Sequence, residues 1–368
     1  MRKGWDYKKL GEVCEILDSQ RRPVTKKDRT KGVYPYYGAS GIQDYVDSYI
    51  FDGRYLLVGE DGAKWGASDK SAYIIEGKSW VNNHVHILKV LDGSVDKFLE
   101  YFLIFKDLSQ YITGAIVPKL TQKSLTSIPI PVPSLAEQQS IVSELDKINE
   151  LISLKKAQLS DLDTLAQSIF YEMFGDPIEN EKGWPIKTIG EIASLKSGNS
   201  ETNNSKPGSL PYVKVGDMTL SGNETFITLS SNYVDRYENE KNIFPVGTII
   251  FPKRGGAILT NKKRLTKVEI CCDLNVMGVT PNGNIADSLY VFYYFLKLDF
   301  KIFGQTGSTI PQINNYSIAP LKIALPPLPL QQSFARKIEA IELQKTQITA
   351  TIKDLETLLA SRMQYWFD

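Results

Sequence analysis

The amino-acid sequence repeats itself on the scale of a domain. Gly4-Trp5-Asp6-Tyr7-Lys8-Lys9-Leu10-Gly11-Glu12 returns 179 residues later as Gly183-Trp184-Pro185-Ile186-Lys187-Thr188-Ile189-Gly190-Glu191. Thr113-Gly114-Ala115-Ile116-Val117-Pro118 returns as Thr306-Gly307-Ser308-Thr309-Ile310-Pro311, and Pro133-Ser134-Leu135-Ala136-Glu137-Gln138-Gln139-Ser140 as Pro326-Pro327-Leu328-Pro329-Leu330-Gln331-Gln332-Ser333, both 193 residues on. The second copy has therefore gained 14 residues internally while both its ends stay recognisable. Each copy is far longer than the ~20 to 50 residues of a solenoid unit. The 368-residue chain is thus expected to hold two similar domains, each with its own core.

After Pro133 the Gly and Pro content drops and apolar residues take a 4,3 spacing: Ile141, Leu145, Ile148, Ile152, Leu159, Leu162, Ala166, Ile169 and Met173, broken at Lys155. The second copy gives Phe334, Ile338, Ile341, Ile348, Ile352, Leu355 and Leu359, broken at Lys345, Arg362 and then ending at Trp366. This is the heptad stripe of a coiled-coil seam. Each helix should run about 35 residues, roughly 50 Å, and the simplest partner for each stripe is the other. Pro133 and Pro326-Pro327 bar helix upstream, Ser134 can cap the first helix, and Phe174-Gly175-Asp176-Pro177 ends it.

The globular parts carry strand-like runs at 55–59, 72–76, 85–88, 247–251 and 268–272, and one aromatic helix each, at 95–111 and 286–303. The aromatic stripes read as core. The resulting fold class is α+β: two tandem mixed α/β domains related by a pseudo-twofold repeat, with two long antiparallel helices forming a coiled coil. The expected boundaries are 1–134, 135–176, 177–327 and 328–368.

Net charge is only +1, yet charge is segregated. Between Lys253 and Lys267 stand six Lys/Arg and no acid, whereas 137–172 holds seven acids against Lys147, Lys155 and Lys156. Local fields can therefore be strong while the total is small. No run of 18 apolar residues occurs, and Met1-Arg2-Lys3-Gly4-Trp5-Asp6 lacks the apolar stretch of a signal peptide, so a cytoplasmic location is expected. Cys14, Cys271 and Cys272 form neither a disulfide framework nor a zinc pattern and read as buried thiols.

Phosphate-loop, H-E-x-x-H, G-x-S-x-G and Rossmann signatures are all missing, as is the Asn/Asp-Pro-Pro-aromatic tetrapeptide with which amino-methyltransferases hold a target base. Asp69 with Glu76 and Lys78 imitates a nuclease metal site only loosely, and the second copy has no clear counterpart. His84 and His86 lack a carboxylate or Cys cluster at ligand spacing. No catalytic residue and no metal ligand is expected. Asn82, Asn83 and His84, just ahead of a strand, read either as an Asn-rich turn or as side chains presented to bases, Asn being suited to bidentate contact with adenine.

The repeat, the Ile-Pro-Ile-Pro-Val-Pro-Ser-Leu-Ala-Glu-Gln-Gln run at 128–139, Phe174-Gly175-Asp176, and Leu57-Val58-Gly59-Glu60-Asp61-Gly62-Ala63 together make the chain resemble the specificity subunit of a type I restriction-modification system. The resemblance spans essentially the whole length. The second copy departs from it with Leu330 in place of Glu137, which puts a helix-terminal role for that carboxylate in doubt. The resemblance implies a non-catalytic reader of double-stranded DNA. Two target-recognition domains would each read half of a split, asymmetric site, with the helices as a ruler. Two modification (methyltransferase) subunits would carry S-adenosylmethionine and methylate adenine, restriction/translocase subunits would bring ATP and Mg, and no membrane would be involved. The alternatives are a self-contained DNA methyltransferase or nuclease, and a coiled-coil adaptor that touches no DNA.

For DNA contact, Lys253 and Arg254 end a strand at a Gly turn, followed by Asn261, Lys262, Lys263 and Arg264. Gly lets a backbone approach phosphate and the cations supply salt-sensitive attraction. In the first copy the analogous positions are Lys64 in a Gly-rich loop, with Tyr36 and Tyr37. Arg21, Arg22, Lys26, Lys27, Arg29 and Lys31 read as a solvated face. The loops 113–120 and 306–313 fit scaffolding and phosphate positioning equally.

Overall fold

The two copies of the opening motif each begin a strand that closes a domain. In a computed structural model, which describes residues 4–114, 116–199, 208–304 and 311–368, the chain divides into two compact units, 1–157 with 349–368 and 158–348. The first unit opens with β1 (Asp6–Lys9), α1 (Leu10–Val13) and β2 (Cys14–Ile16). There follow β3 (Lys31–Gly38), β4 (Gly41–Val46), β5 (Phe51–Gly59), β6 (Ala72–Val81), β7 (Val85–Val90), α2 (Asp96–Phe105), β8 (Ile112–Thr113), β9 (Lys119–Leu120), α3 (Gln122–Thr126) and β10 (Pro129–Val132). One six-stranded sheet has the order β2-β7-β5-β6-β3-β4. Only β3 and β6 pair parallel in it. β1 lies antiparallel to β10, Asp6 opposite Val132, so the repeated opening and the Ile-Pro-Ile-Pro-Val run pin the two ends of the unit together. Strand β10 has a single neighbour, which is why it tolerates Pro129 and Pro131.

The long helix α4 (Leu135–Phe174) begins in the first unit and ends in the second. The second unit continues with β11 (Ile186–Thr188), α5 (Ile189–Ile192), β12 (Ala193–Ser197), β13 (Leu210–Val213), β14 (Phe226–Ile227), β15 (Tyr233–Val234), β16 (Ile249–Pro252), β17 (Arg264–Thr266), β18 (Cys271–Cys272), β19 (Val276–Pro281), α6 (Ser288–Lys297), α7 (Asn315–Ile318) and β20 (Lys322–Ala324). The second long helix, α8 (Leu328–Phe367), starts here and ends in the first unit. The second unit's main sheet runs β12-β19-β16-β17-β14. Its first four strands repeat the order β2-β7-β5-β6, and β11 with β20 repeats the closing ladder. Beyond that shared frame the units differ: the first adds the β3-β4 hairpin, the second β14 and a separate sheet β15-β13-β18. The 14 extra residues fall between β12 and β16, inside this divergent part.

Both long helices have 40 residues, five more than the heptads suggested. Ser134 Oγ accepts from the Glu137 N–H at 3.3 Å, and Gly175, at φ +75°, ends the first helix. In the first unit the start of α4 meets the end of α8 through Glu144–Arg362 and Lys156–Glu356. In the second its end meets the start of α8 through Asp163–Lys345 at 2.8 Å and the Phe170 and Phe334 rings. The pairing is antiparallel in each. Ile141, Leu145, Ile148, Ile152, Leu162, Phe334, Ile338, Ile341, Ile348 and Ile352 are buried along the seam. Leu159 and Leu355 are half-buried. Lys345, which breaks the stripe, is held by Asp163 and Glu342.

The stripe departs from expectation at both helix ends. Instead of Ile169 and Met173 the buried residues are Phe170 and Phe174, and instead of Arg362 it is Met363. Phe367, next to Trp366, packs its ring edge-to-face with Phe98 and Phe102 and tilted against Phe105. Phe170 meets Tyr290, Tyr293 and Phe174. The last two turns face the aromatic helix of a globular part as well as the partner helix. A step of 4 then replaces the step of 3, as a 3.6-residue turn without supercoil permits.

The aromatic helices are shorter than the 95–111 and 286–303 read from sequence. After α2 the chain turns so that Leu108 is buried and its N–H reaches the Trp65 carbonyl at 2.8 Å. After α6, Phe300 is buried and its N–H donates to Asn261 Oδ1 at 2.8 Å. All three cysteines are free and buried, and burial pushes the Cys14 thiol up to about 12.

Candidate nucleic-acid interface

Strands β5 and β16 hold the same inner place in their two sheets and end in equivalent loops. In the first unit most candidates gather there. Tyr37 and Lys64 line one cleft of about 610 Å³ with Ser40, Ile42, Lys70 and Tyr73. The Tyr37 carbonyl accepts from the Asn82 N–H at 3.0 Å, and the His84 carbonyl accepts from the Glu60 N–H at 3.0 Å. Lys64, Lys70, Asn83 and His84 are exposed.

Two candidates of this unit are corrected. Tyr36 is 1% exposed, its hydroxyl accepting from the Val24 N–H and the Arg29 guanidinium lying over its ring, so it is core. Asn82 is 2% exposed, its Oδ1 accepting from the His84 N–H at 2.8 Å and its amide facing Gln43, so it holds the turn rather than a base. Asn83 and His84 remain presented, and the His84 ring meets Asp61 at 2.5 Å.

An ionic cluster around the buried His86 underlies this loop. His86 Nδ1 lies 2.6 Å from Asp18 and its Nε2 2.6 Å from the Leu120 carbonyl. Arg21 reaches Glu60 at 2.7 Å and the Val85 carbonyl at 2.8 Å, and Lys119 reaches Glu60 at 2.8 Å. Ligand atoms of Asp18, Glu60 and His86 lie within 4.8 Å of one another. Both ring nitrogens of His86 already face oxygen acceptors, and Arg21 and Lys119 supply the positive charge a metal would bring. Burial would raise the Asp18 carboxyl, but the hydrogen bond and charge of His86, the Ile87 N–H and Arg21 outweigh it and hold it below its ordinary range. Glu60 is likewise lowered, burial being outweighed by Lys119 and Arg21.

In the second unit the basic candidates divide. Lys253 and Arg254 follow β16, and a 3₁₀ turn, Gly255–Thr260, separates them from Asn261 and β17. Arg254 is exposed and Lys262 half-exposed. Lys263 is corrected: it is 1% exposed, donating to Asn261 Oδ1 at 2.7 Å and the Leu298 carbonyl at 2.5 Å, with its ammonium over Phe300. Arg264 donates to the carbonyls of Asn223, Lys263 and Met218. Asn261 sits at φ +54° and accepts from Lys263 and Phe300. Asn261 and Lys263 tie the start of β17 to Leu298 and Phe300 after the aromatic helix, and Arg264 ties it to the 218–223 segment, so of the Asn-Lys-Lys-Arg run Lys262 is the cation not committed to a carbonyl among the described residues. Of the repeated loops, Ala115 and residues 306–310 lie outside the described residues.

The sequence reading missed Ser40 and Lys70, and Glu60-Asp61 as the counterparts of Lys253-Arg254. The offset of 193 residues, already visible in the flanking repeats, would have aligned the last pair.

The family model described as "Type I restriction modification DNA specificity domain" matches residues 2–163 and 181–357, once per copy of the repeat. A Haemophilus influenzae protein provisionally named a type I restriction enzyme specificity subunit is 26% identical over 357 residues, covering 94% of this chain and 89% of its own. The fold is shared with a type I restriction-modification S subunit from M. genitalium, at TM-score 0.62 and 14% identity, over 100% of this chain and 98% of that one. It is shared also with a chain of a type I R-M system studied for its complex assembly, at TM-score 0.56 and 17% identity, again over 100% and 98%.

Proposed function

The chain belongs to the type I restriction modification DNA specificity family, and on that premise we propose that it is the DNA-specificity subunit of a type I restriction-modification complex. It reads a bipartite, asymmetric site on double-stranded DNA, one half per unit. The observation that carries this is the unequal repeat: a common four-strand frame and closing ladder, with different strands added to each. The like frames give each unit the same scaffold, and the unlike additions address unlike base sequences.

The candidates presented to solvent are the contacts we assign: Tyr37, Lys64, Asn83 and His84 in the first unit, Lys253, Arg254 and Lys262 in the second. The acidic faces of the helix pair repel phosphate and suit protein partners. Two modification subunits dock there, carry S-adenosylmethionine and methylate adenine, and restriction subunits bring ATP and Mg. The helices serve as the ruler between half-sites, and the chain itself is non-catalytic. Among the described residues no helix is long and apolar enough to cross a membrane.

The test is a genome-wide map of methylated adenine in the host with and without this gene. Deletion should erase methylation at one split, non-palindromic motif. An unchanged map, a palindromic motif, or DNA methylation by the purified chain alone refutes the reading.

A further inference from the structure

The two units build the same backbone junction and give it opposite charge. The Leu120 N–H donates to the Glu60 carbonyl at 2.8 Å, and the Ile313 N–H donates to the Lys253 carbonyl at 2.9 Å. Asp61 pairs with Lys119 in an antiparallel bridge, and Arg254 with Gln312. Gly62 stands at φ +67° and Gly255 at φ +63°. Each residue of one junction lies 193 positions from its counterpart.

In the first unit the junction neutralises itself. Glu60 is held by Arg21 and Lys119, and Asp61 by His84 at 2.5 Å and Lys119 at 3.4 Å. In the second unit the two acids become Lys253 and Arg254, and Lys119 becomes the uncharged Gln312. Lys253 donates to Ser197 Oγ at 2.8 Å. Arg254 is exposed and has no acidic partner among the described residues. A Cβ added at Gly255 or Gly256 would meet nothing within 4 Å, so the surface beside Arg254 is bare backbone open to an incoming group. Arg254, extended and exposed beside this bare backbone with no counter-charge among the described residues, favours an anion at its guanidinium, and Lys253, turned to Ser197, adds positive charge behind it.

We propose that the Lys253-Arg254 junction is a phosphate-binding site that takes one phosphodiester of the DNA backbone, and that the matching Glu60-Asp61 junction of the first unit takes none. This rests on the DNA-reading function above and adds to it: the two units contribute unequally to the ionic part of binding. Arg254 positions the second unit on the backbone without reading a base. The Gly-bounded turn after it then leads toward Lys262.

The experiment is the salt dependence of duplex binding by the full chain assembled with its modification subunits. For Arg254→Gln, affinity should fall alike for target and random duplexes, and the slope of log affinity against log salt should become shallower by about 0.9, the value of one phosphate contact. Arg254→Lys should keep most of the slope, since a point charge still serves. Lys119→Gln in the first unit should leave the slope as it is. An unchanged slope in Arg254→Gln, a loss confined to duplexes with one particular base pair, or an equal drop in Lys119→Gln overturns the proposal. A wild-type complex with no preference for any duplex sequence overturns the DNA-specificity reading instead, while the slopes on random duplex still judge the junction.

Discussion

The side-chain carbonyl of Gln138 accepts the Val95 N–H at 2.9 Å, locking the first turn of α4 to the start of the aromatic helix α2. Its amide returns to the Pro133 carbonyl at 3.0 Å. Gln331 does the same 193 residues later, accepting the Asp287 N–H at 2.8 Å and donating to Pro326 at 2.7 Å. Both side chains are buried, 1% and 0% exposed. This explains the repeated Gln: it satisfies a helix-start N–H and a proline carbonyl that the core hides from water. Gln138→Leu leaves both unpaired and should destabilise the first unit by about 1–3 kcal/mol. Urea unfolding followed by tryptophan fluorescence checks it; an unchanged midpoint would show the bonds to be dispensable.

The Glu137 to Leu330 departure has a structural cause too. Glu137 accepts the Trp5 indole N–H at 3.1 Å, whereas the matching Trp184 donates to the Phe174 carbonyl at 3.0 Å and needs no carboxylate. The repeat, the heptads and the proline starts were legible because each follows from periodicity or backbone sterics. The helix ends were not, since a strict 3.5 period cannot announce where a helix meets an aromatic helix as well as its partner. Lys263 and Arg264 were misread for a similar reason. A run of cations looks solvated in sequence, and only the fold shows that carbonyls of Leu298 and Asn223 await them.

Phe170 is fully buried among Phe174, Tyr290, Tyr293 and Phe334. Truncation to Ala empties the point where α4, α6 and α8 meet in the second unit. Phe170→Ala should cost about 3–5 kcal/mol, and Phe170→Leu markedly less. Ile169→Ala, which the heptad pattern alone would rank as the seam residue, should cost less than Phe170→Ala. Comparing the three in denaturant melts separates the observed stripe from the strict heptad.

The ionic cluster of the first unit makes stability depend on acid. Asp18 and Glu60 have carboxyls held below their ordinary values of 3.8 and 4.5. The stability they contribute is therefore complete above those values and is lost as pH falls through the lower folded ones. Asp18→Asn should lower the melting temperature at pH 7, by an amount corresponding to about 1–3 kcal/mol, and flatten the acid limb of the stability curve. Melting curves from pH 7 to 2 check this; parallel limbs for wild type and variant would remove Asp18 from the account.

Lys263 gives the opposite limb. Burial lowers its ammonium from 10.5 to about 8, Asp299 opposing weakly. Between those two values the unfolded chain holds the proton that the folded chain has released, so this group makes stability rise with pH across that window, by up to about 1.4 kcal/mol per pH unit. Below pH 8 both states are protonated and the burial of the charge weighs on the fold. Lys263→Met removes the titrating group while keeping an apolar stem against Phe300. The variant should lose the alkaline rise, and its duplex affinity should match wild type, unlike Arg254→Gln; at pH 7 the relief from burying a charge is set against the lost hydrogen bonds to Asn261 Oδ1 and the Leu298 carbonyl. Retention of the rise assigns it to another group, and a loss of affinity without loss of stability returns Lys263 to the DNA surface.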